Sequence, residues 1–305
     1  MKLISDFDGV WTYPDAEGAA HGAELDAALL AAAGERDRAA VEDWIARARA
    51  AVRAQPMRWG WSAAGRISAF ADEDPFAEHG ALLHYLDEQR AGDPIAARLA
   101  GAIERTGTTL EAFGGAAHVR GVQRVEASRG PGITPQAAAA GQALLAAGVE
   151  IVVVSNSRTE KLQRWFAHAG VPASVHPERA AHALRLRGSA RKFVLAPGPG
   201  VTIDIGGLSV DVARPDYARV LAEEAPDAVV GDVFSIDLAL PLAMKRRDPA
   251  SSHMRLFWLV HPYTPERMRH ALGQLATGGE GGLPREVEPI EGGLAEVARR
   301  LLEGA

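Results

Sequence analysis

No cysteine occurs among the 305 residues. That absence removes disulfides, thiolate nucleophiles and cysteine-ligated zinc or iron–sulfur centres from consideration. Long hydrophobic runs are missing as well: no apolar stretch reaches the ~20 residues needed to cross a bilayer, so no membrane partner is expected. The segment from Met1 to Val10 is apolar only briefly and turns acidic at Asp6, unlike a secretory signal, and it lacks the arginines of a transit peptide. A cytoplasmic location is the resulting expectation. Nor is there an excess of positive charge. With 33 Lys and Arg against 39 Asp and Glu, the net charge is −6, which argues against a broad basic face for nucleic acid. The histidines show no His-x-x-x-His spacing, and His118, His168 and His176 read as surface or structural residues. No long internal repeat is present.

What is present divides into three parts. Lys2-Leu3-Ile4-Ser5 is a short apolar run that ends at Asp6-Phe7-Asp8-Gly9, a buried strand entering a polar turn. Residues 14–131 are rich in Ala, Leu, Arg and Glu, with helical spacing at Leu25, Leu29 and Leu30 and at Val41, Trp44 and Ile45, broken at Gly60, Asp74-Pro75 and Gly92-Asp93-Pro94. This block is expected to be a mainly helical domain inserted between residues 1–13 and 132–305. Beyond it, strands and helices alternate. A helix runs from Thr134-Pro135 to Gly148, followed by a β-branched strand over Val149–Val154, a helix through Leu162, Trp165 and Phe166, a helix around Tyr217–Glu224, a strand over Asp227–Val230 and a last strand over Leu256–Val260. The alternation implies an α/β core with a doubly wound parallel sheet. Strict alternation over Val201–Ile205 and Leu208–Val212 around Gly206-Gly207 predicts a hairpin pairing Ile205 with Leu208, Ile203 with Val210 and Val201 with Val212. Gly278–Gly282 reads as a surface loop.

In a parallel sheet ligands bind beyond the carboxyl ends of the strands. The residues there are selective: Asp6 and Asp8 after the first strand, Ser155 and Asn156 after the second, and Asp232 followed by Asp237 after another. Carboxylates at one rim repel unless a cation sits among them, and an all-oxygen donor set favours magnesium. Taken singly, each feature has a plainer account. Ser155-Asn156 could be a turn, and Asp232 and Asp237 a helix start. Asp6 and Asp8 with Glu17 could open a calcium loop, but Val10 stands where a ligand should be and a strand precedes. Their shared placement at strand ends favours the site.

Asp6-Phe7-Asp8-Gly9-Val10-Trp11-Thr12 resembles the first motif of haloacid dehalogenase-type phosphatases; Val152–Asn156 resembles the second, and Gly231-Asp232 with Asp237 the fourth. The resemblance covers residues 1–13 and roughly 132–245. It implies a Rossmann-like core in which Asp6 attacks phosphorus to give an aspartyl phosphate and Asp8 protonates the leaving oxygen and then activates water. It implies a magnesium ion held by Asp6, Asp232 and Asp237 and by the Asp8 carbonyl, with Ser155 and Asn156 at the phosphate. The inserted domain, by the same resemblance, is a cap that selects a small phosphorylated metabolite. The family's third motif offers a lysine before a proline; here Arg214-Pro215 stands in that position and is preferred as the phosphate-binding cation over Lys192. A dehalogenase is disfavoured because such enzymes lack the second Asp of the first motif. A phosphomutase, or a catalytically weak phospho-ligand binder, remains as an alternative. Met57, Arg58, Trp59, Trp61 and Arg66 could line a substrate pocket, although large aromatics in a helical domain usually form its core.

Overall fold

A computed structural model describes residues 1–63, 65–176, 182–276 and 286–303. The Gly278–Gly282 loop expected from the sequence lies outside them. The chain divides into two compact units, one formed by Met1–Tyr13 with Pro131–Ala305 and the other by Pro14–Gly130.

The first unit opens with strand β1 (Lys2–Ser5). The Pro14–Gly130 unit then contributes α1 (Asp15–Ala33), α2 (Arg38–Ala54), β2 (Gly60–Ala63), β3 (Arg66–Phe70), α3 (Ala77–Gln89), α4 (Pro94–Arg105) and α5 (Leu110–Arg129). Two of its helices, α3 and α4, start where a short polar side chain satisfies free amides of the first turn. Asp93 accepts from the amides of Ile95 and Ala96 ahead of α4, and Asp74 accepts from those of Phe76 and Ala77 just before α3. Leu25, Leu29, Trp44, Leu82, Leu86, Leu99 and Ile103 form one core, and Val52, Trp59, Ala71 and Ala81 a second. Trp59 is therefore core, with its indole nitrogen donating to Glu88 at 2.7 Å. The unit also departs from the helical expectation: β2 and β3 pair as an antiparallel hairpin. A Cβ on Gly60 would lie 2.0 Å from the Ala69 carbonyl, so the glycine that reads as a helix break is what lets the two strands close.

The rest of the first unit follows: α6 (Pro135–Ala146), β4 (Glu150–Val154), α7 (Thr159–His168), β5 (Ala173–Ser174), β6 (Leu184–Arg187), β7 (Thr202–Ile205), β8 (Leu208–Asp211), α8 (Pro215–Glu224), β9 (Ala228–Gly231), α9 (Ala239–Arg247), β10 (Arg255–Leu259), α10 (Glu266–Ala276), β11 (Glu288–Ile290) and α11 (Gly293–Glu303). Seven strands form one parallel sheet in the order β11-β10-β9-β1-β4-β6-β5. Leu3, Ile151, Val153, Val230 and Phe257 pack in one cluster with Leu144 of α6, Leu162 of α7 and Val297 of α11. The alternate residues Ile4, Val152, Val154, Val229 and Leu256 are buried too, as a sheet covered on both faces requires. The doubly wound parallel sheet is as expected, but β10 is not its last strand. β11 adds an edge, and β5 and β6 extend the opposite side. The β7–β8 hairpin has the expected register, with Ile205 opposite Leu208 and Ile203 opposite Val210, and its turn glycines have φ of +52° and +85°.

Three histidines gather inside the Pro14–Gly130 unit. The His21 ring lies 4.6 Å from that of His79 and 5.1 Å from that of His118, both edge-on. Burial, then the neighbouring His79 and His118, with Arg49 close by, hold the His21 pKa down to about 2. Burial and Arg49 lower His79 as well. His79 Nε2 donates to the Gly18 carbonyl at 2.8 Å, a neutral-ring arrangement. Because these folded values lie below the ordinary 6.5, the unfolded chain takes up protons first as pH falls. Stability is fully present above pH ~6.5 and declines below it, at up to about 1.4 kcal/mol per pH unit per group. In acid titrations followed by circular dichroism, His21→Phe is expected to move the unfolding midpoint to lower pH.

Candidate active site

Strand order sets the location. From β1 the chain moves outward through β4, and after β6 it returns to the other side of β1 at β9, so the switch point lies at the carboxyl ends of these three strands. Asp6 leaves β1 there, its amide donating to the Val230 carbonyl at 2.9 Å. Phe7 turns into the core, and Val10 and Trp11 donate back to its carbonyl. Gly9 has φ of +77°, and a Cβ on it would lie 2.2 Å from Asp232 Oδ2, so the turn carrying Asp8 admits only glycine at this point.

Asp6, Asp232 and Asp237 each present a ligand atom within 4.8 Å of the others. Asp232 follows β9; its carbonyl accepts from Trp258 Nε1 at 2.9 Å and its Oδ2 from the Tyr263 hydroxyl at 2.7 Å. The Tyr263 ring stacks on His261, whose Nε2 donates to the Gly9 carbonyl at 2.7 Å. Asp237 sits in a single π-turn, Phe234–Leu238, a distortion often found at functional positions. Its Oδ2 accepts from the Val233 amide and its carbonyl from the Tyr217 hydroxyl. The Asp8 carboxylate stands apart from this cluster: Oδ2 accepts from Ser157 Oγ at 2.9 Å and Oδ1 from Lys161 Nζ at 3.2 Å.

The cation beside the cluster is Lys192, not Arg214. Lys192 Nζ donates to Asp6 Oδ1 at 2.5 Å and to Asp237 Oδ1 at 2.6 Å, and the residue is almost wholly buried. Arg214 does precede Pro215 at the start of α8, but its guanidinium donates to the Lys192 carbonyl at 2.7 Å, one layer behind the carboxylates. The loop bearing Lys192 is tied to the end of β4. Ser189 donates its amide to the Ser157 carbonyl, Ala190 to that of Ser155, and Lys192 to Asn156 Oδ1 at 2.7 Å. Ser189 and Arg191 adopt φ of +52° and +53°, which non-glycine residues accept only when surrounding contacts impose it. Asn156 thus positions the lysine's backbone, and Ser155 Oγ accepts from the Ser157 amide at 3.0 Å. Lys192, Ser157, Lys161, Tyr217 and Tyr263 complete the site without having been singled out as its preferred residues from the sequence. Only Lys161 carried a periodic signal, standing four residues from both Ser157 and Trp165.

Burial, then the Asp237 carboxylate, push the Asp6 carboxyl up to about 8 against the opposing pull of Lys192. Burial alone would lower the Lys192 ammonium, but Asp237 and Asp6 outweigh it and hold its pKa above the ordinary lysine value. Burial likewise holds the Tyr217 phenol above its usual range. Three carboxylates offering only oxygen fit a hard divalent cation such as magnesium, which would be held by Asp6, Asp232 and Asp237.

A parallel sheet with this crossover, an aspartate pair after β1, a serine after β4 and acids after β9 are the expected arrangement in space. No protein-family model matches the chain, and no curated protein matches it. Solved structures do. A haloacid dehalogenase-like family hydrolase from Xanthomonas campestris is 13% identical, with 99% of this chain and 95% of that one covered and a TM-score of 0.41. A 2-haloacid dehalogenase from Pseudomonas syringae pv. tomato is also 13% identical, with 100% and 99% covered and a TM-score of 0.40. YfnB from Bacillus subtilis, solved bound to magnesium, is 11% identical, with 89% and 98% covered and a TM-score of 0.35.

Two measurements examine the cluster. An Asp6 carboxyl raised to about 8 keeps its proton at neutral pH in the metal-free protein, so its contribution to stability is full below the ordinary carboxylate value of 3.8 and is lost as pH rises from there to about 8. A magnesium ion held by the cluster would displace that proton. Calorimetry at pH 7 in buffers of different ionisation enthalpy is expected to show proton release on binding, with affinity climbing up to pH ~8 and then levelling. Tyr263→Phe, which removes the hydroxyl on Asp232, is expected to weaken magnesium binding by about 10- to 100-fold without a change of fold.

Proposed function

We propose that the chain is a magnesium-dependent phosphohydrolase that cleaves a small organic phosphomonoester through an aspartyl phosphate on Asp6. The observation that carries this reading is the division of labour between two aspartates two positions apart: Asp6 belongs to the acidic cluster, whereas the Asp8 carboxylate is held away from it by Ser157 and Lys161. A nucleophile and a separate proton carrier are what phosphoryl transfer to and from a carboxylate requires.

In this reading an Asp6 oxygen forms a bond to phosphorus as the ester P–O bond breaks, and the departing oxygen takes a proton from Asp8. Water then attacks phosphorus, gives its proton to Asp8, and the Asp6–phosphate bond breaks to release inorganic phosphate. Lys192, against Asp6, supplies positive charge where phosphoryl oxygens gather, and Ser155 and Asn156 hold the edge of the β4 turn. A bound magnesium would neutralise phosphoryl charge. A cation from the chain stands at the cluster, so the reading of a weak binder disabled by Arg214 loses its motive. The second aspartate favours phosphate over the haloacid chemistry named for one of the similar structures.

The deciding experiment measures inorganic phosphate released from p-nitrophenyl phosphate, sugar and glycerol phosphates, phosphoserine and nucleotides, with and without magnesium. Release that needs magnesium and falls by at least about 10³-fold in Asp6→Asn is expected. Isomerised phosphoester without free phosphate would point to a mutase, and release unchanged in Asp6→Asn would rule out the assignment of the nucleophile.

A further inference from the structure

Lys161 has no part in the family motifs, yet it is buried in the first unit with its ammonium beside the proton carrier. It stands on the first turn of α7, four residues before Trp165, a spacing that puts the two on one helical face, while Ser157 lies just ahead of the helix. Its Nζ lies 3.2 Å from Asp8 Oδ1, 3.4 Å from Ser157 Oγ, 4.5 Å from the centroid of the Trp165 ring and 5.4 Å from that of Phe7. Burying a lysine is costly unless an opposite charge and further polar or aromatic contacts offset it, and here the carboxylate and the two ring faces do so. Asp8 in turn has both oxygens engaged, one by the ammonium and one by the hydroxyl. Without that hold, a carboxylate two residues from Asp6 would be drawn by any cation held in the cluster.

We propose that Lys161, with Ser157, is a positioning residue that keeps the Asp8 carboxylate out of the acidic cluster and aimed at the departing oxygen, which fits the site to phosphomonoesters of alcohols. This inference rests on the phosphohydrolase reading. Alkoxides are poor leaving groups and depend on a proton delivered in the transition state, whereas p-nitrophenolate departs with little help. The positioning therefore matters for the first class of ester and hardly for the second. A merely structural lysine would affect both alike.

The test compares kcat/KM, which reports the step that expels the leaving group, for p-nitrophenyl phosphate and for the best-cleaved of the sugar and glycerol phosphates. Lys161→Met keeps the apolar stem against Trp165 and Phe7. It is expected to lower kcat/KM for the alkyl ester by about 10²-fold and for p-nitrophenyl phosphate by less than about fivefold. Lys161→Arg should recover most of the loss, and Ser157→Ala, which deletes only a hydroxyl, should show the same selectivity at smaller size. Equal losses on both esters, or none on either, overturn the proposal while leaving the hydrolase reading intact. A wild type that releases phosphate from no ester overturns both.

Discussion

The constraint on which the site depends is the mutual repulsion of carboxylates brought to one sheet edge. At separations near 4 to 5 Å and an effective dielectric of about 20, each charged pair repels by roughly 3–4 kcal/mol. The chain meets this in three ways. Lys192 is placed between Asp6 and Asp237, the proton on Asp6 is retained beyond its ordinary range, and the remaining acids are fixed by neutral donors such as Tyr263 and the Val233 amide. Glycine appears where backbone must approach. A Cβ on Gly231 would sit 2.3 Å from the Asp237 Cβ, just as one on Gly9 would strike Asp232. The crowding is built in.

Much of this was legible in the residue order. Asp6, Asp8, Ser155, Asn156, Asp232 and Asp237 could be found because a parallel sheet puts ligand-facing residues where apolar runs stop. The cation could not be ranked the same way. Pro215 correctly marks the start of a helix, but a helix start says nothing about how far a neighbouring arginine reaches. Lys192 arrives through a loop whose course depends on Asn156, Ser189 and Arg191, contacts with no periodicity to read. Lys161 is not legible in the same way, because a charged residue on an amphipathic helix defaults to the solvent face and the aromatic rings and Asp8 reverse that default.

The missed strands have a similar origin. In β6, Leu184 and Leu186 alternate with Arg185 and Arg187, and the two arginines are drawn to the buried Glu224 of α8. An Arg-rich run reads as surface until its acid is known. β5 and β11 have two and three residues, too few to carry a pattern. In β2 and β3 the register shifts between Trp61 and Ser62, which breaks the alternation that marks a strand.

The sheet order also bears on how the chain acquires its shape during synthesis. β1 is the central strand, yet both of its neighbours, β4 and β9, are translated only after the whole Pro14–Gly130 unit. Ribosomes add about 5–20 residues per second, so the strand that ends at Asp6 waits several seconds or more with both edges open. Its shortness, four residues with Lys2 at one end, limits what it can pair with in that interval. Asp6, which leaves this strand, is made well before Lys192, Asp232 and Asp237, the residues that surround it.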